Sequence, residues 1–230
     1  MTDSPAPIRI FLVDDQELVR AGFAMVLDAQ PDLSVVGGAG DGIEALAALA
    51  ATPADVVLMD IRMPRMDGVE TTRRLLSGPE PRPRVVVLTT FDLDEYVYAA
   101  LRAGASGFLL KDAGPTELLA SIRAVHRGDA VIAPSTTRRL LERFAEHLPD
   151  PAAPPAAEGH PRLSALTARE LDVLTLVGRG LSNAEICDAL VVAEATVKTH
   201  IGRILHKLAL RDRVQMVLLA YDTGLVRPRS

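Results

Sequence analysis

Along the first half of the chain, short apolar runs alternate with stretches whose apolar positions recur every three or four residues. The runs are IRIFLV (8–13), LSVVG (33–37), DVVLM (55–59), RVVVL (84–88) and SGFLL (106–110). Several are apolar at nearly every position, the pattern of strands covered on both faces. Helices are predicted between and after them, over 16–29, 42–51, 68–77, 93–103 and 115–127. This alternation implies right-handed crossovers and an α/β fold with a doubly wound, five-stranded parallel sheet. From residue 163 onward the strand pattern is gone. Leu171, Leu174 and Val177 share one face of a helix within 166–180, and Val197, Ile201, Ile204 and Leu208 share one within 193–208. Thr167 with Glu170, and Ser182 with Glu185, have the spacing of capping boxes at helix starts.

The segment between the two regions reads differently. TTRRLLERFAEHL (136–148) has helical spacing in Leu140, Leu141, Phe144 and Leu148. LPDPAAPPAAEGHP (148–161) is rich in Pro and Ala and reads as an extended linker. The expected organisation is an α/β domain over 1–128, a linker over 129–162 and a small all-α domain over 163–230.

Composition changes this picture in three places. The 230 residues, 48% hydrophobic, can bury two cores. The single cysteine, Cys187, excludes an internal disulfide framework and is expected as a small core residue. No stretch approaches the roughly 20 apolar residues of a membrane span, and MTDSPAPIRIFLVDD lacks the layout of a signal peptide; a cytoplasmic protein with no membrane partner is expected. Charge is uneven. Residues 1–128 carry twelve Lys+Arg against eighteen Asp+Glu, and residues 163–230 carry nine against seven, so the halves should have different partners.

The polar residues that end the apolar runs carry the first candidate chemistry. The first run is followed by Asp14 and Asp15, the third by Asp60, the fourth by Thr89 and the fifth by Lys111. In an open parallel sheet these positions meet at the carboxyl edge, where ligands bind. One such residue is readily explained by a strand end meeting water; three acids, a hydroxyl and an ammonium together are not. Crowded carboxylates repel one another and call for a cation, and Mg²⁺ takes one or two carboxylates plus waters or phosphate oxygens. A carboxylate is also a phosphoryl acceptor, with metal and ammonium neutralising the transferred charge.

Asp14-Asp15, DIRMPRMDG (60–68), LTTFD (88–92) and GASGFLLKD (104–112) resemble, in order and spacing, a response-regulator receiver domain of flavodoxin-like fold over most of 8–127. The resemblance implies that Asp60 is the phosphoacceptor. It implies that Asp15, Asp60 and the backbone carbonyl of Arg62 bind Mg²⁺, with Asp14 assisting. Thr89, Lys111 and Phe108 would respond to the phosphoryl group, Phe108 as the family's switch aromatic. Pro64 and Gly68 would shape the loop after Asp60, while Arg62 and Phe91 stand where the family tunes dephosphorylation. Asp112 replaces the proline that many receivers carry after the lysine.

In the second half, the predicted helix over 193–208 turns Lys198, Thr199, Gly202, Arg203 and His206 away from its apolar face, with Lys207 to one side. A basic-faced helix after a short turn is how a helix-turn-helix meets the major groove. A net charge of nine minus seven suits a solvated surface equally well. LTARELDVL, GRGLSNAEI and TVKTHIGRILHKL, however, resemble the LuxR-type helix-turn-helix of NarL/FixJ response regulators over about 163–215. That resemblance makes Lys198, Thr199 and Gly202 base-facing, and gives Thr196, His200, Arg203 and Lys207 to phosphate contact or packing. Two departures matter. Ala193 stands where the family has a capping hydroxyl, at a cost of about 1 kcal/mol. Gly202 offers no side chain for readout and costs about as much again in a helix, so Lys198 is expected to carry more of the discrimination.

The resemblance implies a sensor histidine kinase as phosphoryl donor, promoter DNA as ligand, and a homodimer when phosphorylated; which receiver face pairs is left open, the family tending to use its first and fifth helices. Val214, Val217, Leu218 and Tyr221 in the last helix are expected to pack partly on their own core and partly on a second copy. Two rivals are weaker. An Asp-nucleophile phosphohydrolase would need an acid–base Asp where Arg62 stands. A regulator independent of phosphate would not need the full set of Asp14, Asp15, Asp60, Thr89 and Lys111. GAGDGIEAL (38–46) is read as a turn before a helix, not a nucleotide loop, and the five histidines have no zinc-ligand spacing.

Overall fold

A computed structural model describes residues 6–78, 82–89, 95–127 and 160–226. The chain divides into two compact units, Met1–Val131 and Ile132–Ser230. The expected linker up to residue 159, with its helix over 136–148, and Phe91 and the end of LTTFD lie outside the described residues.

The first unit is the expected parallel sheet. Its elements are β1 (Ile8–Val13), α1 (Glu17–Asp28), β2 (Leu33–Ala39), α2 (Gly42–Ala51), β3 (Val56–Asp60), α3 (Gly68–Ser77), β4 (Arg84–Thr89), α4 (Glu95–Arg102), β5 (Gly107–Leu110) and α5 (Pro115–His126). The strand order is β2-β1-β3-β4-β5 and every pairing is parallel. Central β3 is buried throughout, which its unbroken apolar run required. Two strands run further than their apolar patterns suggested. β2 continues through Gly38 and Ala39, which pair with Leu12 and Val13. A β-bulge between Ile10 and Phe11 shifts this register, and the Phe11 ring occupies the space that a Cβ at Gly37 would fill. β3 continues through Asp60, opposite Leu88.

Local caps fix where helices begin. The Asp41 carboxylate accepts the Ile43 and Glu44 N–H groups at the start of α2, and Asp67 accepts from Glu70 at the start of α3. Pro115 opens α5, where its missing N–H costs nothing.

The second unit holds α6 (Ala168–Gly178), α7 (Asn183–Leu190), α8 (Glu194–Lys207) and α9 (Arg213–Asp222). Both expected capping boxes form, on Thr167 with Glu170 and on Ser182 with Glu185. Ala193 begins α8 with no side-chain cap. Val173, Leu174, Val177, Ile186, Val197 and Ile204 are fully enclosed in one apolar core, and Cys187 is half-buried against it. Val217 and Tyr221 of α9 join that core, so packing within the unit accounts for these two. Val214 and Leu218 are buried as well.

Candidate metal centre and nucleic-acid interface

The register of the sheet brings the chemistry to one edge. Val13 is paired with Met59, Asp60 with Leu88 and Thr89 with Leu110. Asp14, Asp60, Thr89 and Lys111 therefore sit side by side at the strand ends. Asp14, Asp60 and Thr89 are buried, while Asp15 is exposed. Carboxylate oxygens of Asp14, Asp15 and Asp60 lie within 4.8 Å of one another. Three such groups with one open to solvent suit a hard divalent cation that keeps part of its water shell.

Lys111 is held across the mouth of this cluster. Its N–H donates to the Thr89 carbonyl at 2.7 Å, and its ammonium lies 2.6 Å from Asp14 Oδ2 and 2.9 Å from Asp60 Oδ2. Burial alone would lower the Lys111 pKa, but bonds to Asp14 and Asp60 outweigh it and hold the ammonium above the ordinary lysine range. Asp60 is pushed up, chiefly by burial and further by Asp14, against the pull of Lys111 and the Arg62 N–H. A buried carboxylate with excess negative charge beside it is the environment a bound cation relieves.

The surrounding backbone fixes these groups. The Gln16 N–H donates to Asp14 Oδ1 at 2.9 Å, and the Arg20 guanidinium donates to the Asp14 carbonyl. After Asp60 the chain must turn sharply into α3. Gly68 N–H donates to the Ile61 carbonyl at 2.9 Å, and any Cβ at Gly68 would overlap the Asp60 carbonyl oxygen. Arg65 takes φ 63° in this loop and pairs with Asp41 and Glu44, tying the loop to the start of α2. Phe108, opposite Val87, is buried at 7% exposure. The Arg62 guanidinium lies over the Tyr96 ring of α4, 5.4 Å from its centre. Arg20, Arg65 and Tyr96 were missed in the sequence. Only fold geometry brings them to the site.

In the second unit, α8 buries Val197 and Ile204 and exposes Thr196, Lys198, Thr199, Gly202, Arg203 and His206. The exposed ammonium of Lys198 pairs with Glu194 one turn earlier at 2.8 Å, a contact worth only a few tenths of a kcal/mol and so readily exchanged for another anion. Thr199 Oγ1 donates to the Ala195 carbonyl. Nothing lies within 4 Å of where a Gly202 Cβ would sit. His200 is half-buried with its Nδ1 unpartnered. The Lys207 ammonium lies 2.6 Å from the buried Glu170 Oε2. Among the described residues no helix is long and apolar enough to cross a membrane.

Residues 10–123 match the family model of the response regulator receiver domain, and residues 164–220 match that of the bacterial regulatory proteins of the luxR family. Over 220 residues the chain is 43% identical to the uncharacterized transcriptional regulatory protein YxjL of Bacillus subtilis, covering 96% of this chain and 98% of that one. It is 37% identical over 221 residues to the DNA-binding transcriptional activator DevR/DosR of Mycobacterium tuberculosis, covering 96% and 97%. The crystal structure of ChrA, a response regulator of a heme-sensing two-component system, is similar with a TM-score of 0.51 and 35% identity, covering 96% and 100%.

Proposed function

This chain belongs to the response regulators that join a receiver domain to a LuxR-type DNA-binding domain, and we propose that Asp60 is its phosphoacceptor and the α8 face its operator-reading surface. It is a transcriptional regulator of two parts. The receiver reading extends over 1–128 and the DNA-binding reading over 163–230, on either side of the linker at 129–162. The observation that carries the proposal is the buried Asp60 carboxylate, placed beside two further acids and 2.9 Å from the Lys111 ammonium.

Asp14, Asp15 and Asp60, with the Arg62 carbonyl, are the groups that would hold Mg²⁺. When bound, the ion supplies positive charge against the repulsion between Asp60 and an incoming phosphoryl group. An Asp60 oxygen forms a bond to phosphorus as the bond from phosphorus to a histidine nitrogen of a sensor kinase breaks. Lys111 then pairs with a phosphoryl oxygen, and the Thr89 hydroxyl donates to another. The new group adds about 1.5 to 2 negative charges to a nearly closed site. Thr89 and the buried Phe108 on the next strand are the residues that register it, and slow hydrolysis returns Asp60 to its carboxylate.

On the output side, Lys198, Thr199 and Gly202 face base edges, and Thr196, His200 and Arg203 face phosphates. Lys207 contributes by fixing the end of α8. A phosphorylation-dependent homodimer would set two such helices on two half-sites. The experiment is phosphorylation of the whole chain with acetyl phosphate and Mg²⁺, read by intact mass and light scattering, beside Asp60→Ala. The expected result is one added phosphoryl group and dimerisation in the wild type alone. Equal labelling of both chains would move the acceptor elsewhere, and no labelling of either would favour a regulator that works without phosphate.

A further inference from the structure

We propose that Tyr96 is a positioning residue for the acceptor site: its ring holds the Arg62 guanidinium on α4 and thereby keeps an aspartyl phosphate open to water. The proposal rests on the reading of Asp60 as phosphoacceptor. Arg62 stands two residues after Asp60, and its N–H donates to the Asp60 carboxylate. Its side chain therefore starts at the mouth of the site. The guanidinium carbon lies 5.4 Å from the centre of the Tyr96 ring, within the range of cation–π attraction. Tyr96 is 48% exposed, so the core does not explain its ring. Val97, Ala100 and Leu101 are buried beneath it and fix the helix that carries it.

The chemistry decides the direction of the effect. Hydrolysis needs a water oxygen to attack phosphorus in line with the bond to Asp60. That bond breaks, Asp60 recovers its carboxylate, the water oxygen stays on inorganic phosphate and a proton passes to solvent. A guanidinium binds phosphoryl oxygens strongly through paired N–H groups. Drawn over the mouth, it would stand where water must approach. The Tyr96 ring competes for the same cation and draws it towards α4. The phosphorylated site is therefore shielded less than Arg62 alone would make it.

The test follows loss of the phosphoryl group by intact mass, after the whole chain is labelled with acetyl phosphate and Mg²⁺ and the donor is removed. Tyr96→Leu is expected to lengthen the half-life about two- to fivefold, the factor that an exposed cation–π contact corresponds to. Tyr96→Phe keeps the ring face and should decay as the wild type does. In an Arg62→Ala background, Tyr96→Leu should change nothing further. An unchanged or shorter half-life in Tyr96→Leu overturns the proposal, as does equal lengthening in the Arg62→Ala background. Should the wild type accept no phosphoryl group, the Asp60 reading itself fails and this one falls with it; labelling with no Tyr96 effect rejects only the positioning role.

Discussion

Between α7 and α8 the chain turns at Val191, which closes α7 in the left-handed conformation at φ 53°. A β-branched L residue is strained there, and glycine is not. Val191 is also 89% exposed, so its side chain recovers little by burial. Val191→Gly is therefore expected to stabilise the second unit by about 1 kcal/mol, after the extra freedom of unfolded glycine is counted. Hydrogen exchange of peptides from α7 and α8 checks this; slower exchange in Val191→Gly than in Val191→Ala is the expected outcome, and equal exchange would refute the strain argument. The backbone conformation of Val191 left no trace in the sequence, where it is one of two valines after an amphipathic helix. Asp14, Asp15, Asp60, Thr89 and Lys111 were legible for the opposite reason. Each stands within two residues after the end of an apolar run, and a parallel sheet brings such positions together whatever the loops do. Arg65 and Tyr96 depend on which loop meets which helix, and periodicity holds no information about that.

At the scale of elements, α8 is anchored at its end by the Lys207–Glu170 pair. Glu170 is also the acceptor in the capping box of α6, taking the Thr167 N–H at 2.8 Å. First the Lys207 ammonium and then the Thr167 N–H hold Glu170 at a pKa of about 2, below its usual 4.5. A depressed carboxylate stabilises the fold above its unfolded pKa, and the contribution is lost as pH falls through the folded value. Lys207→Met should cost about 1–3 kcal/mol at neutral pH, because Glu170 is left buried and charged without its partner. The urea midpoints of wild type and Lys207→Met should then converge as pH drops from about 4.5 towards 2. Midpoints that stay equally far apart over that range would show that Lys207 acts through packing alone. The two capping boxes and the alternation of strands and helices along the chain were visible in the sequence because they are local patterns. Strand ends were less so. β2 continues through Gly38 and Ala39 because they pair with Leu12 and Val13, a constraint that lies on another strand.

For the whole molecule, the question is how a charge at Asp60 becomes a change in DNA binding. Two-fold operators are read by paired helices, so a second copy of the chain is the simplest intermediary. The receiver offers a surface for it. Leu18 and Met25 of α1 are 86% and 77% exposed, seven residues apart and so on one face. Gly22 lies between them, with nothing within 4 Å of where its Cβ would sit. An apolar face left in water on an otherwise acidic unit fits self-association, and α1 is one of the two helices that similar receivers tend to use for it. Leu18→Glu with Met25→Glu would put like charges opposite one another across a symmetric contact. The double variant is expected to accept phosphate at the wild-type rate yet remain monomeric in light scattering at concentrations where the wild type pairs. Its dimerisation should weaken about tenfold or more, the effect of losing roughly 1.4 kcal/mol or more of apolar contact. Operator affinity should fall with it, since one α8 then acts without its twin. Were the variant to dimerise normally, the contact would lie on another face, and the exposure of Leu18 and Met25 would need a different partner.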